Sequence, residues 1–312
     1  MSKIPGCECN GVIRNTGDKS GKIFGLLSSK FFMPMWAKDG TRNYIDLEAE
    51  DLEAEILGKI NHADPTKRLY PFHRLKTYTP EQADAEFATT DTNERSKLRD
   101  GIKTNTVEMW SRSNQFFGQV AEMCGAFGDF DVDDCGTLRG DLQGTKLYPR
   151  RINEKSYNTK YMDKHGSEET KIIINFDYDR LTHDRNQWLV PASAFGDTNP
   201  LYLQGMIDVK LTITPVSGTS YTLIAEMENF GDALELNRVT GLVTADITAK
   251  NLDDGGSNVV TDVEADAVEE GKYTVTTSVV TTGDKLEWKA FKPATEIDIN
   301  GLESKSQVVV AL

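Results

Sequence analysis

From Gly241 to Leu312 the chain shows no helical apolar period; short alternating runs recur instead, separated by polar turns. Val243, Ala245, Ile247 and Ala249 fall on one face of such a run, with Thr244, Asp246, Thr248 and Lys250 on the other. Asn251 to Gly256, Glu269-Glu270-Gly271 and Thr282-Gly283-Asp284 break the pattern. Alternation interrupted by turns every ten residues or so predicts a β-sandwich, because successive side chains of a strand point to opposite faces. We read residues 236–312 as an immunoglobulin-like β domain of this kind. Domains of that type usually recognise or assemble rather than catalyse.

The 312 residues leave room for a second domain before it. Residues 26–235 predict a mixed α+β, β-rich domain, preceded by an N-terminal arm over 1–25. No stretch approaches the roughly 20 apolar residues that cross a bilayer, so no membrane partner is expected. The first residues, Met1 to Cys7, carry no secretory signal, which predicts synthesis in a cytoplasm. A net charge of −14 is spread along the chain. It argues against attraction to nucleic acid by bulk electrostatics, and serves either solubility or a wall to which DNA must not adhere. Cys7, Cys9, Cys124 and Cys135 form neither a disulfide scaffold nor the paired spacing of structural zinc, and free thiols are expected.

Along the first domain, Lys30 to Trp36 is an apolar extended run followed by a turn at Lys38 to Thr41. Asp46 is placed to cap a helix on which Leu52, Ile56 and Ile60 fall four apart. Thr79-Pro80-Glu81-Gln82 carries the signature of a second helix start. Phe116, Phe117, Val120 and Met123 mark a helix from about Asn114 to Met123. The period then becomes two. Ala126 to Val132 predicts a strand with Asp129, Asp131 and Asp133 on a wet face, turning at Asp133 to Gly136. Strands over Ile172 to Tyr178, Ile207 to Ile213 and Tyr221 to Met227 alternate cleanly, the last two as a long hairpin. The polar stretch from Lys146 to Lys171 predicts an excursion of functional or interfacial use.

Constellations that carry chemistry are weak. His62, His73, His165 and His183 form no metal-ligand pair, and His183-Asp184 lacks a nucleophile elbow. The acidic run from Asp129 imitates a calcium loop, but Asp134 stands where that loop needs glycine and Gly140 where it needs glutamate. No phosphate-binding glycine loop is present. Tyr148, Arg150, Arg151, Lys155, Tyr157, Lys160, Tyr161 and Lys164 interleave basic and aromatic residues, as a single-strand groove or a protein–protein rim would. We favour the rim. No catalytic, cofactor-binding or metal-binding residue is assigned, and no cofactor.

The run KFFMPMWAKDGTRNYIDL (Lys30 to Leu47), with SNQFFGQVAEM, the Asp133-Asp134-Cys135-Gly136 turn, GTKLYPRRI, KIIINFDYDR and GMIDVKLTITPV, resembles structural proteins of tailed phages of Bacteroidetes, the crAss-like group among them. The resemblance covers roughly residues 25–228. It implies a tail-tube-like β-sandwich with packed helices and a virion component of the tail or neck. Such a subunit would close with copies of itself into a six-fold or twelve-fold ring and contact adjacent tail, neck or portal proteins. Double-stranded DNA would pass without specific binding, and the 146–171 excursion would be an arm to a neighbouring subunit. A different structural role is a capsid decoration or head-fibre protein that binds the host surface through residues 236–312, where Trp288 and Tyr273 would stack on a sugar unless they fill the sandwich core.

Overall fold

The computed structural model describes residues 24–312 apart from 73, 90–94, 100, 111–113, 124, 167–168, 180–185, 197, 229–237 and 295–299. The arm expected over 1–25 therefore lies outside the described residues except for Phe24 and Gly25. The protein is β-rich: of the described residues, 50% are in strands and 11% in helices. It divides into two compact units, Met1–Gly205 and Met206–Leu312.

In the first unit β1 (Leu27–Pro34) is covered on both faces, so that Lys30 and Ser29 are buried beside Phe31, Phe32 and Met33. The turn after it closes as expected: the Ala37 N–H donates to the Thr41 carbonyl at 2.8 Å, and Gly40 takes the left-handed φ of 81° that glycine adopts freely. After β2 (Ile45–Asp46) comes α1 (Leu52–Ile60), which buries Ile56 and Ile60. Its cap is Asp51, whose carboxylate accepts from the Ala54 N–H at 3.0 Å. Asp46, expected in that role, sits in β2 and accepts from the Glu48 N–H.

A first sheet runs in the order β2, β10 (Lys146–Tyr148), β9 (Leu138–Gln143), β8 (Phe127–Asp133), β1 and β3 (Tyr70–Pro71). β11 (Arg150–Arg151) adds to β8, and β14 (Gln187–Val190) adds to β9. The second sheet orders β12 (Asn158–Met162), β13 (Lys171–Asp177), β7 (Lys103–Trp110) and β4 (Leu75–Gln82). The two share a core in which Phe32 of the first sheet meets Val107, Met109, Ile172, Ile174 and Phe176 of the second. α2 (Asn114–Ala121) packs Phe117 and Val120, with Met123 beyond its end, against the same core, as its helical stripe predicts.

Two sequence expectations fail here. Thr79-Pro80-Glu81-Gln82 starts no helix; it lies in β4, with Thr79 opposite Thr106 and Pro80 opposite Asn105. β4 is a marginal strand of its sheet, where a proline lacking its N–H is tolerated, and sheet pairing overrides the local cap signature. Nor is Lys146 to Lys171 an excursion. It supplies β10, β11 and β12, each paired within its own unit.

The second unit holds β15 (Ile207–Ser217), β16 (Ser220–Met227), β17 (Ile247–Asn251), β18 (Val260–Ala265), β19 (Lys272–Thr277), β20 (Lys285–Lys292), β21 (Leu302–Ser304) and β22 (Gln307–Val310). One path runs β15, β16, β19, β18; a second runs β17, β20, β22. β21 joins them, parallel to β15 and antiparallel to β20. The β15–β16 hairpin has the register predicted by its alternation: Val209, Leu211, Ile213, Tyr221, Leu223 and Ala225 all enter the core. That core is shared with β19 and β20. The hairpin expected in the first domain thus belongs to the sheets of the second unit, and the division falls at 205/206 rather than 235/236. The alternation around Val243 begins later than predicted, because Thr244–Asp246 is a 3-10 turn and only Ile247 onward is strand.

Candidate functional site

Between the two sheets of the first unit lies a cluster of buried charge. Antiparallel partners share a face, and the register sets Lys30 opposite Asp131, Asp131 opposite Arg139, and Asp129 opposite Arg150. Three strands paired with β8, namely β1, β9 and β11, thereby bring three cations onto its two carboxylates. Lys30 Nζ contacts Asp129 and lies 2.6 Å from Asp131. Arg150 reaches Asp129 at 3.0 Å and Asp131 at 2.5 Å, and Arg139 closes on the second Asp131 oxygen. From the second sheet the Tyr178 hydroxyl donates to Asp129 at 2.9 Å, and the Tyr78 ring lies 5.2 Å from Lys30 Nζ. The Lys30, Asp129 and Asp131 side chains are 0% exposed and Arg150 is 2% exposed; Arg139 is the partly exposed member. Gly128 makes the geometry feasible. A Cβ there would stand 2.8 Å from both the Arg150 carbonyl and Pro149, so only glycine lets β11 lie this close to β8.

Burial alone would raise the Asp131 pKa, but Arg150, Lys30 and Arg139 outweigh it and hold the carboxyl well below the usual range. Burial acts against the charge on Arg150 too, yet Asp129 and Asp131 keep it firmly protonated. Desolvation pushes the Tyr178 and Tyr78 hydroxyls up, so both remain neutral donors. The ion pairs thus join β1, β8, β9 and β11 within the first sheet, and the second-sheet side reaches them through the Tyr178 hydroxyl and the Tyr78 ring. The expected wet face of Asp129, Asp131 and Asp133 is thus an interior face, the period-two pattern being right and its solvent exposure wrong. Asp133 is also buried, and accepts from the backbone N–H groups of Gly25 (3.0 Å), Cys135 (3.0 Å) and Thr137 (2.7 Å).

Asp133, Asp134 and Cys135 each bring a potential ligand atom within 4.8 Å of the others. Cys135 is disulfide-bonded, however, and offers no thiolate. The expectation of four free thiols therefore fails at Cys135; Cys7, Cys9 and Cys124 lie outside the described residues. So do His73 and His183-Asp184. His62 Nδ1 accepts from the Asp64 N–H at 3.0 Å, and His165 is exposed.

The basic and aromatic residues of 148–164 do not line one groove. Arg150 is in the ion cluster, Tyr157 donates to the Val120 carbonyl at 2.9 Å, and the Tyr161 ring packs 5.4 Å from Phe117. Lys155, Lys160 and Lys164 face solvent. Tyr157 and Tyr161 thus pack inward away from the exposed lysines, while Tyr148 lies 5.7 Å from the Tyr44 ring with the Arg42 guanidinium 4.0 Å from its own. Trp288 and Tyr273 are likewise unavailable to a sugar: both are buried in the second unit's core. Trp288 lies 5.0 Å from the Tyr221 ring, and the Tyr273 hydroxyl donates to the Val239 carbonyl at 2.7 Å.

One feature escaped sequence reasoning altogether. β4 and β7 pair from Leu75–Met109 to Gln82–Lys103, and the hairpin then continues outward. The Ala83 N–H donates to the Ile102 carbonyl at 3.0 Å, and β5 (Glu86–Thr89) pairs with β6 (Arg95–Arg99). Gly101 sits at the joint, where a Cβ would collide with the Ala83 carbonyl. β13 covers β7 only from Thr104 to Trp110, so the distal β5–β6 pair stands as a two-stranded ladder of its own. Phe87 and Ile102 on this projection are 46% and 49% exposed. The signal was hidden by the misleading proline signature within β4.

Among the described residues no helix is long and apolar enough to cross a membrane. No protein-family model matches the sequence, and no curated protein matches it.

Proposed function

We propose that the chain is a non-enzymatic structural subunit of a phage virion, assembling with copies of itself into a ring of the tail or neck that surrounds the DNA passage. The observation that carries this reading is the projecting β4–β7 hairpin with its distal β5–β6 ladder. An isolated two-stranded hairpin is marginal in water, and its unpaired margins are templates for another chain. Half-exposed Phe87 and Ile102 gain most if a neighbouring subunit covers them. Identical subunits joined head to tail satisfy every such hairpin at once when the ring closes. The arm of this reading is therefore residues 75–110 rather than 146–171.

The second unit supports the same reading. Its paths β15-β16-β19-β18 and β17-β20-β22 correspond to the ABED and CFG sheets of an immunoglobulin-like sandwich, beginning at residue 206. The net charge of −14 suits a wall past which DNA moves without adhering. A decoration or head-fibre role through this unit is less favoured, since its candidate sugar-stacking aromatics are interior.

The test is negative-stain electron microscopy with mass photometry on the full-length chain, beside a variant in which residues 84–101 are replaced by an Asn-Gly turn. Rings or stacked tubes from the natural chain and single subunits from the variant are expected. Single subunits from both, at every concentration, would sink the reading.

A further inference from the structure

The buried cluster of the first unit sets a primary amine against a carboxyl group, and the ion pairs leave that chemistry unused. Lys30 Nζ contacts Asp129 Oδ2, and both side chains are 0% exposed. The rings of Tyr78, Phe176 and Tyr178 surround the amine, with centroids 5.2, 5.3 and 5.9 Å from Nζ. An ammonium and a carboxylate taken out of water carry a desolvation cost that their attraction only partly offsets. Condensation to an amide removes both charges. In bulk water that course is closed, because the amine is protonated, the carboxylate resists attack and solvent competes. Groups held in contact inside a closed space escape the last of these limits.

The neighbours of the pair meet the other two. Asp131 Oδ1 lies 2.6 Å from Lys30 Nζ, within reach of the ammonium proton. Against its burial, Arg150, Lys30 and Arg139 keep the Asp131 carboxyl ionised, so the proton acceptor is present. The Arg150 guanidinium donates to Asp129 Oδ1 at 3.0 Å and to Oδ2 at 3.1 Å. It is a fixed charge beside the oxygen that turns negative when nitrogen adds to Cγ. The Tyr178 hydroxyl donates at 2.9 Å to Oδ2, the oxygen that the amine contacts. Nucleophile, electrophile, proton acceptor and oxyanion donor thus converge from β1, β8 and β11, with Tyr178 directly after β13.

We infer that Lys30 and Asp129 condense into an intramolecular amide that crosslinks β1 to β8. The Lys30 ammonium passes a proton to Asp131, and the freed electron pair of Nζ attacks Asp129 Cγ. Negative charge gathers on Oδ1 beside Arg150. A second proton leaves the nitrogen, the Cγ–Oδ2 bond breaks, and Oδ2 departs with the two protons as water. Asp131 ends as a carboxylate again, and no oxidant, reductant or further reactant is consumed. A neutral amide replaces the ion pair, while Arg150 and Asp131 remain matched. The bond joins residues 99 positions apart in sequence, so neither denaturant nor reductant parts the two strands there. The crosslink forms whether or not the chain enters a ring.

The experiment is mass spectrometry of the full chain after reduction and alkylation of its cysteines. The expected intact mass is lower than that of the sequence by one water. Trypsin should fail to cut after Lys30, leaving Ile23–Lys38 joined to Ser113–Arg139 as one branched peptide. Its fragmentation should place the link at Lys30 and Asp129. Lys30→Arg keeps a cation in the cluster but cannot form this amide, and should show no branched peptide. Asp131→Asn keeps the volume and removes the proton acceptor, and should lose most of the crosslink. Cleavage after Lys30 in the natural chain, with the two peptides separate, would overturn the inference without recourse to any variant. So would a loss of water traced to a cyclic imide at Asp39-Gly40. An undiminished crosslink in Asp131→Asn would refute the proton path through Asp131.

Discussion

The two units are built from the same alternating strands and are held together differently. In the second, the inward positions of β15, β16, β19 and β20 are almost wholly apolar, from Val209 to Trp288. In the first, the space between the sheets contains two carboxylates, a lysine and an arginine beside Phe32 and Phe176. An apolar core forgives imperfect partners, because burial energy is non-directional. An interior ion cluster does not. Each charge there is acceptable only while its partners remain, so loss of one is more damaging than loss of a comparable volume of hydrocarbon.

This contrast can be broken at three points. The largest effect is expected from Arg150→Met, which leaves Asp129 and Asp131 with one fewer cation in a sealed space. It should cost the first unit about 4 kcal/mol, read as loss of hydrogen-exchange protection in β1, β8 and β13, with β15, β16 and β19 unchanged. Leu223→Ala in the apolar core should cost the second unit about 3 kcal/mol and leave the first unit's protection intact. Should Arg150→Met prove harmless, the cluster is not what holds the first unit's interior together. The smallest effect is that of acid. The depressed carboxyl of Asp131 contributes stability that is complete above the unfolded carboxyl value near 3.9 and lost as pH falls below it. Protection should therefore decline in the first unit before the second as pH drops through about 4. Among the described residues of the second unit, the carboxylate with a lowered pKa is the partly exposed Asp266, held down chiefly by the backbone N–H groups of Val268 and Glu269 and screened by solvent. Loss of the second unit first would contradict this order.

The legible parts of the molecule are those whose pattern is local. The helix stripe of Ile56 and Ile60, the alternation of Ile172, Ile174 and Phe176, and the long hairpin from Val209 to Ala225 could all be seen because each residue's fate depends on its neighbours in sequence. The ion cluster could not. Alternation places Asp129 and Asp131 on one face, but whether a second layer covers that face depends on Arg150, about twenty residues on, and on Lys30, about a hundred back. The proline at 80 misled for the same reason, since its pairing with Asn105 is set by a strand more than twenty residues away. The division at 205/206 was missed because the β15–β16 hairpin is joined to β19 and β21 by pairings that no sequence run reveals.

The four tryptophans give the molecule a built-in optical asymmetry. Trp36, Trp110 and Trp188, all in the first unit, are about half exposed, while Trp288 in the second is wholly enclosed against Tyr221. Indole emission shifts to longer wavelength on meeting water, so melting of the second unit will redden the spectrum through a single fluorophore. The first unit's three indoles, already in contact with solvent, will change colour far less when it unfolds. A red shift of the emission maximum thus reports the melting of the second unit in one unlabelled cuvette.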